Sequence, residues 1–340
     1  MSLQGNDWLA LTPEAALEPD LPICDPHHHF WDLRTASGPY QRYLLHELVA
    51  DINGHNVRST VFVEASAMYR SDGPEEMRPV GEVEFVQGLA AASASGLYGP
   101  ARVAASIVGR ANLDLGERVA PVLEALRAAS PNRFRGIRPP VTWDPHPEVH
   151  NKTYQPTPHK MAGVQFRAGA RVLARMGLSL DLWLYHTQLP ELADLARAIP
   201  DLPIILDHIG GLSRIGPYAN RDEEVLAAWR RGIAAVADCP NVCVKLGGIG
   251  MARVGFDWHS RSKPIGSEEL AQSMAPLMTY CIERFGPNRC MFESNFPVDK
   301  VAYSYNVMYN AFKRLSKGYS ATERAAMFHD NAARVYRVAV

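Results

Sequence analysis

The sequence predicts an α/β fold, a (βα)8 TIM barrel in a single domain, and three observations carry that expectation. Short apolar runs alternate with amphipathic stretches along nearly the whole chain, and such alternation implies a parallel sheet. Eight such runs occur in 340 residues; eight strands close a barrel, and the length is usual for one. The Gly-rich phosphate turn that a doubly wound open sheet carries after its first strand is absent, which demotes that alternative.

A polar, proline-bearing segment, Met1 to Asp20, precedes the first strand, Leu21–His27. Its apolar run Leu21-Pro22-Ile23-Cys24 reads as a brief buried strand. A weaker helix over Leu44–Asn53 fits before the second strand, Ser59–Ala65. Helix Val80–Ala94, strand Arg102–Val108, helix Gly116–Ala129 and strand Phe134–Val141 follow. After helix Phe166–Met176 come strand Leu178–Tyr185, helix Leu189–Ile199 and strand Pro203–Ile209. Helix Glu223–Asp238, strand Val242–Leu246, helix Ser267–Phe285, strand Cys290–Glu293 and helix Tyr303–Leu315 complete the repeat. One domain is expected over 1–340, its barrel from 21 to 317, closed by a last helix, Ala321–Tyr336.

Three connections after strands are long: Trp143–Gln165 after the fourth, with Pro145, Pro147, Pro156 and Pro158, Gly210–Asp222 after the sixth and Gly247–Gly266 after the seventh. Long loops in compact domains are uncommon unless functional or disordered, and these read as lids or substrate walls. Trp143, Tyr154, Trp258 and His259 are candidate pocket residues on them, whereas His146, His150 and His159 are expected to face solvent.

At 47% hydrophobic the chain can bury a large core. Lys+Arg 35 against Asp+Glu 36, with no basic stripe along the sequence, argues against nucleic-acid or membrane-surface partners. No apolar run reaches the length of a membrane span, and the start lacks a signal-peptide apolar region. Five scattered cysteines without a C-x-x-C pair suit a reducing compartment, so a cytoplasmic location is expected. Cys239 and Cys243 read as a loop cysteine and a core-strand cysteine rather than metal ligands.

The chemistry concentrates at strand ends. In Asp25-Pro26-His27-His28-His29-Phe30-Trp31-Asp32, alternation along a strand projects His27 and His29 together and turns His28 away. Two imidazoles on one face form half of a metal site. The second strand ends with Glu64, the fourth offers Arg138, the fifth ends at Tyr185-His186, the sixth at Asp207-His208, the seventh carries Lys245 and the eighth continues into Glu293-Ser294-Asn295. A barrel interior normally carries branched apolar residues, so titratable groups there are costly unless paired or bound to something. So many at corresponding ends point to one shared site. Ser294 lacks the G-x-S-x-G context of a nucleophile.

With these motifs in order, the chain resembles the amidohydrolase superfamily, in particular the amidohydrolase-related branch that holds sugar-lactone hydrolases and 2-pyrone-4,6-dicarboxylate lactonase. The resemblance runs from Ile23 to Tyr336 and rests on D-x-H-x-H-F-W-D, R-G-I-R, L-D-H-x-G, V-K-L-G, M-F-x-S-x-x-P and the closing Asn331-Ala332-Ala333-Arg334-Val335-Tyr336. It implies a (βα)8 barrel that hydrolyses lactone or related bonds at its C-terminal mouth, with one divalent metal in some members and none in others. One departure matters. The family's M-F-G-S-D-W-P has Asp where this chain has Asn295, and Gly where it has Glu293. A neutral amide is a poor base and a weak anion substitute, so Glu293 is expected to supply the missing carboxylate or to neutralise Lys245 or Arg138.

These readings combine into a hydrolase that opens a small carboxylated or polyhydroxylated lactone. The expected catalytic residues are His208, Glu293, Asn295 and Lys245. Arg138, His186 and Glu64 are expected to bind substrate, Glu64 by orienting an imidazole. His27, His29 and His208 are expected to hold one divalent metal, zinc first, or to work without any. The expected partner is an anionic small molecule, with a homo-oligomer compatible. Alternatives are a metal-dependent non-oxidative decarboxylase and a barrel that binds a ligand without turnover.

Overall fold

The computed structural model describes residues 5–34, 39–150 and 157–338; Tyr154 and Pro156 lie outside these. Eight strands form one sheet in sequential order: β1 (Ile23–His28), β2 (Val57–Val63), β3 (Arg102–Gly109), β4 (Phe134–Ile137), β5 (Ser179–Leu182), β6 (Ile204–Leu206), β7 (Val242–Leu246) and β8 (Cys290–Phe292). Every registered neighbour pair is parallel. The ring closes just beyond β8, where His28 bridges Phe296, Asn295 N donates to His27 O (2.9 Å) and His29 N donates to Phe296 O (2.8 Å). The chain is therefore a (βα)8 barrel, and its closing seam carries His27, His29 and Asn295.

Helices Val80–Ala94 and Ser267–Phe285 have the bounds the sequence predicts. Two others differ for local reasons. The expected helix Gly116–Ala129 starts as an α-helix only at Ala120, because Gly116 turns left-handed (φ 59°) and Pro121 suits a helical first turn. The closing helix is two α-segments, Ala321–Ala325 and Asn331–Val335, around a π-turn at Ala326–Asp330. Asn331 anchors it by donating to the carbonyls of Pro287 and Cys290 at 2.7 and 2.8 Å.

β2 and β8 stop one or two residues earlier than predicted, and three strands stop three or four residues earlier. β4 ends before Pro139 and Pro140, which lack the N–H a ladder needs. β5 ends at Leu182, so His186 sits in a one-turn 3-10 helix, His186–Gln188. β6 ends at Leu206, and His208 and Ile209 then take left-handed backbone (φ 54° and 48°). Gly211 completes that turn where a Cβ would stand 1.7 Å from Leu184 O.

The barrel lumen has two layers. Its lower layer is apolar: Cys24, Val61, Val63, Val108, Ile205 and Met291 pack around Tyr336 from the closing helix. Burial of each large apolar side chain stabilises the fold by about 1.5–3 kcal/mol. Its upper layer is ionic and forms the candidate site.

Candidate active site

β1 delivers His27 and His29 to the lumen, as alternation requires, while His28 faces outward between Phe30 and Phe62 and pairs with Thr60 Oγ1 at 2.8 Å. His208 enters from the left-handed turn after β6, and Gly248 makes room for it: a Cβ there would stand 2.2 Å from His208 Nδ1. Glu293, the first residue after β8, bridges both rings. Its Oε1 lies 2.7 Å from His208 Nδ1 and its Oε2 2.8 Å from His27 Nδ1. The His208 backbone N–H also donates to Oε1, at 3.1 Å.

A second shell of charge lies against this triad. Lys245 Nζ meets Asp181 Oδ2 at 2.7 Å and Asp207 Oδ1 at 3.0 Å. Arg138 donates to Glu64 Oε1 (3.1 Å), Asp207 Oδ2 (3.3 Å) and His27 Nε2 (3.2 Å). Tyr336 reaches up through the floor to donate to Asp181 Oδ2. All these side chains are buried. Glu64, Asp181, Asp207 and Glu293 outnumber Lys245 and Arg138, so the layer carries surplus negative charge beside the histidines.

The electrostatics follow from that packing. Burial alone would raise Glu293, but the His208 and His27 rings outweigh it and hold the carboxyl at about 2. Burial would lower Lys245, yet Asp181 and Asp207 keep it charged above its usual range. Burial would likewise raise Asp207, but Lys245 and His27 pull it well below the carboxylate range. Burial, reinforced by Asp207, raises Asp181. Burial lowers His27 and His29, with Lys245 adding to it at His27 and Arg138 among the causes at His29.

His29 stands apart from the triad. Its Nδ1 donates to Val63 O at 2.8 Å, leaving Nε2 bare and 3.3 Å from Asn295 Oδ1. Asn295 Nδ2 donates to Asp299 Oδ1 at 2.8 Å, which turns its oxygen toward His29. Asn295 itself is left-handed, φ 54°, and backbone of this kind concentrates at functional sites.

The structure redistributes several expected roles. His27, His208 and Glu293 present donor atoms within 4.8 Å of one another, whereas His29 falls outside that set. Glu293 pairs directly with the imidazoles of His27 and His208, and its charge also helps keep Lys245 raised. Glu64 Oε1 accepts from the Arg138 guanidinium. Lys245 is wholly buried, with Asp181 and Asp207 as its carboxylate partners. Arg138 keeps an edge on a small cavity lined with Glu64, Pro139, Pro140, Thr142 and Trp183. Trp183 Nε1 and Thr142 Oγ1 there have no hydrogen-bond partner among the described residues. His186 is buried against Tyr218, its ring held at about 4 by burial. Ser294 donates to His27 O and is structural. Trp258 stacks on Phe256 and His259 faces Asp257. Of the loop histidines, His159 is exposed and His150 contacts Asp144 O.

Sequence reasoning missed Asp181, Asp207 as a bridging anion, and Arg253. The first lies mid-strand, where nothing local marks its partner. Arg253 comes from the loop after β7 and spreads over Trp183 and Tyr185, 5.6 and 4.9 Å from their ring centres. Trp183 meets the His208 ring edge-on at 6.3 Å, which places Arg253 near the mouth.

The donor set fits a divalent ion: two imidazoles and a carboxylate suit zinc-like chemistry, and the surplus negative charge would be balanced by a dication. The bare His29 Nε2, its other nitrogen held by a carbonyl, has the arrangement of a metal-binding histidine.

A closed parallel barrel with histidines from β1 and β6 and a carboxylate after β8 defines a hydrolase-type mouth. The chain belongs to the Amidohydrolase family, whose pattern matches residues 24–338. It is 35% identical to an uncharacterised protein, y4mH, of Sinorhizobium fredii, over 94% of this chain and 99% of that one. It is 25% identical to an L-fucono-1,5-lactonase of Burkholderia multivorans, over 92% and 95% of the two chains. A zinc-bound crystal structure of a Burkholderia multivorans amidohydrolase shares the fold, with TM-score 0.70 and 23% identity over 93% of this chain and 99% of that one.

Among the described residues, no helix is long and apolar enough to cross a membrane.

Proposed function

We propose that this protein is a lactonase that opens a small sugar-acid or carboxylated lactone. The observation that carries the proposal is Glu293 bridging His27 and His208 beside a cavity that holds Arg138 and two unpartnered donors. The similarity to L-fucono-1,5-lactonase supports the substrate class.

The chain's own residues divide the work. Glu293, kept ionised, orients His208 through Nδ1, as a buried carboxylate orients a catalytic histidine. His208 Nε2 then takes the proton from water as it attacks the ring carbonyl. The oxyanion that forms faces Arg138, whose guanidinium is held in place by Glu64 and Asp207, and Trp183 Nε1–H and Thr142 Oγ1–H, which have no partner among the described residues. The proton passes from His208 to the leaving ring oxygen. His27, His208 and Glu293, with His29 and Asn295 adjacent, would hold a divalent metal. When bound it would lower the pKa of water to about 7. Arg253 at the mouth would favour substrates with a carboxylate or many hydroxyls.

The test uses protein purified without a metal-affinity column. Metal content is measured, and a panel of aldonolactones and carboxylated lactones is followed by proton release. Ring opening of any of them supports the proposal. CO₂ release from hydroxylated aromatic acids without lactone opening would establish the decarboxylase instead. Ligand-induced stabilisation without turnover would establish a binding barrel.

A further inference from the structure

At the opposite, N-terminal face of the barrel lies a cavity of about 560 Å³. Arg58 near the start of β2, Arg102 at the start of β3, and Arg133 and Arg135 around the start of β4 line it, with His329 from the π-turn of the closing helix. Among the described residues no carboxylate lines it, and its remaining wall is mostly small and apolar. None of the four arginines has a carboxylate partner among the described residues. His329 pairs with the exposed Asp330 at 2.9 Å. In a chain whose formal charge is −1, four positive charges here are a local departure that the linear sequence does not display.

Two of these guanidiniums are already held in place. Arg102 Nη1 donates to Ala94 O at 2.8 Å, and Arg135 donates to the carbonyls of Tyr336 (3.1 Å), Phe134 (3.0 Å) and Asn132 (2.6 Å). Anchoring through carbonyls fixes orientation without neutralising charge. The Ser59 hydroxyl on the wall is buried, with no hydrogen-bond partner but the weak thiol of Cys24 nearby. Burial, with Arg337 close by, lowers Arg135, a strain that an anion would relieve.

We propose that this cavity is a binding site for a small polyanion carrying two or more phosphate or carboxylate groups. Guanidiniums match such groups bidentately, and four unneutralised ones around one cavity suit a multiply charged ligand better than a single anion. The site is separate from the mouth: β2 runs from Arg58 to Val63 before Glu64, about 20 Å at strand rise. It goes beyond the proposed lactonase activity and does not rest on it.

Calorimetric titration of the full chain with pyrophosphate, and separately with citrate, tests the site at constant ionic strength. The expected result is saturable binding of at least one probe with Kd below about 1 mM. It should weaken at least tenfold in the triple variant Arg58→Ser, Arg102→Ser, Arg133→Ser, which leaves Arg135 and its hold on Tyr336 intact. A preference for pyrophosphate marks phosphates as the recognised groups, and a preference for citrate marks carboxylates. If the triple variant does not fold, the double variant Arg58→Ser, Arg133→Ser replaces it, with the same weakening expected in smaller degree. Absence of saturable heat with both probes overturns the proposal. So does unchanged affinity in the folded variant, which would place the anion at the mouth.

Discussion

The two ends of this barrel handle charge in opposite ways. At the C-terminal mouth, acids, bases and histidines are buried and neutralise one another through short contacts. At the N-terminal face, four arginines stand around a cavity without carboxylate partners among the described residues, two of them, Arg102 and Arg135, held by carbonyls. The mouth must keep its charges in register because burial without partners is prohibitive. The face can leave its arginines uncompensated because water solvates them. The same residue types are therefore structural and chemical at one end and available to an outside ligand at the other.

Removing a charge separates the two ends most sharply. Lys245→Met strands Asp181 and Asp207 in the lumen and should cost about 3–5 kcal/mol of stability, read from urea unfolding. Arg58→Ser at the face should change stability by less than about 0.5 kcal/mol. Similar costs at both ends would break the contrast.

Glu293→Gln should lower kcat/KM by roughly a hundredfold or more, because both His27 and His208 lose their ionised partner. Steady-state kinetics on a lactone found to be a substrate, with circular dichroism to verify folding, decides this. Near-normal efficiency would show that Glu293 serves packing only.

Asn295→Asp places a carboxylate against Asp299, whose own carboxyl burial raises to about 6. One of two adjoining acids must then hold a proton. A raised carboxyl pKa contributes stability at low pH that is lost as pH rises through it. The variant should thus match wild type near pH 5, fall below it by about 1 kcal/mol near pH 8, and lose about tenfold in activity. Higher activity with tighter metal binding would overturn this and restore the family's acidic ligand.

The smallest effect concerns Glu82, buried behind Glu64, where it accepts from Ala65 N and Ala67 N at 2.9 and 2.8 Å. Burial, with Glu64 adding to it, raises it to about 8. It is protonated at neutral pH, so its contribution is lost as pH climbs through 8. Glu82→Gln mimics the protonated form and should be more stable than wild type at pH 9 by at least about 1 kcal/mol, the difference opening as pH rises above the ordinary carboxylate range and small near pH 4. Parallel stability curves for the two proteins would refute the assignment.

What the sequence determined by itself was whatever is written in local periodicity. Two-residue alternation places His27 and His29 on one face and His28 on the other. Apolar runs of strand length mark all eight strands, and the bounds of Val80–Ala94 and Ser267–Phe285 follow from one apolar face meeting the sheet. Strand-end chemistry at Arg138, His208, Lys245 and Glu293 is legible for the same reason: a polar residue that ends an apolar run in a parallel barrel has only the mouth to face. Partnership was decided by tertiary structure. Closure beside β8 brings Glu293 to His27 across a separation of hundreds of residues, and Asp181 becomes an ion-pair partner only because β5, β7 and Tyr336 meet in the lumen. The arginine cavity draws on β2, β3, β4 and the closing helix, which no sequence window spans. Alternation records which way a side chain points, whereas the free energy of a buried charge depends on what stands a few ångströms away.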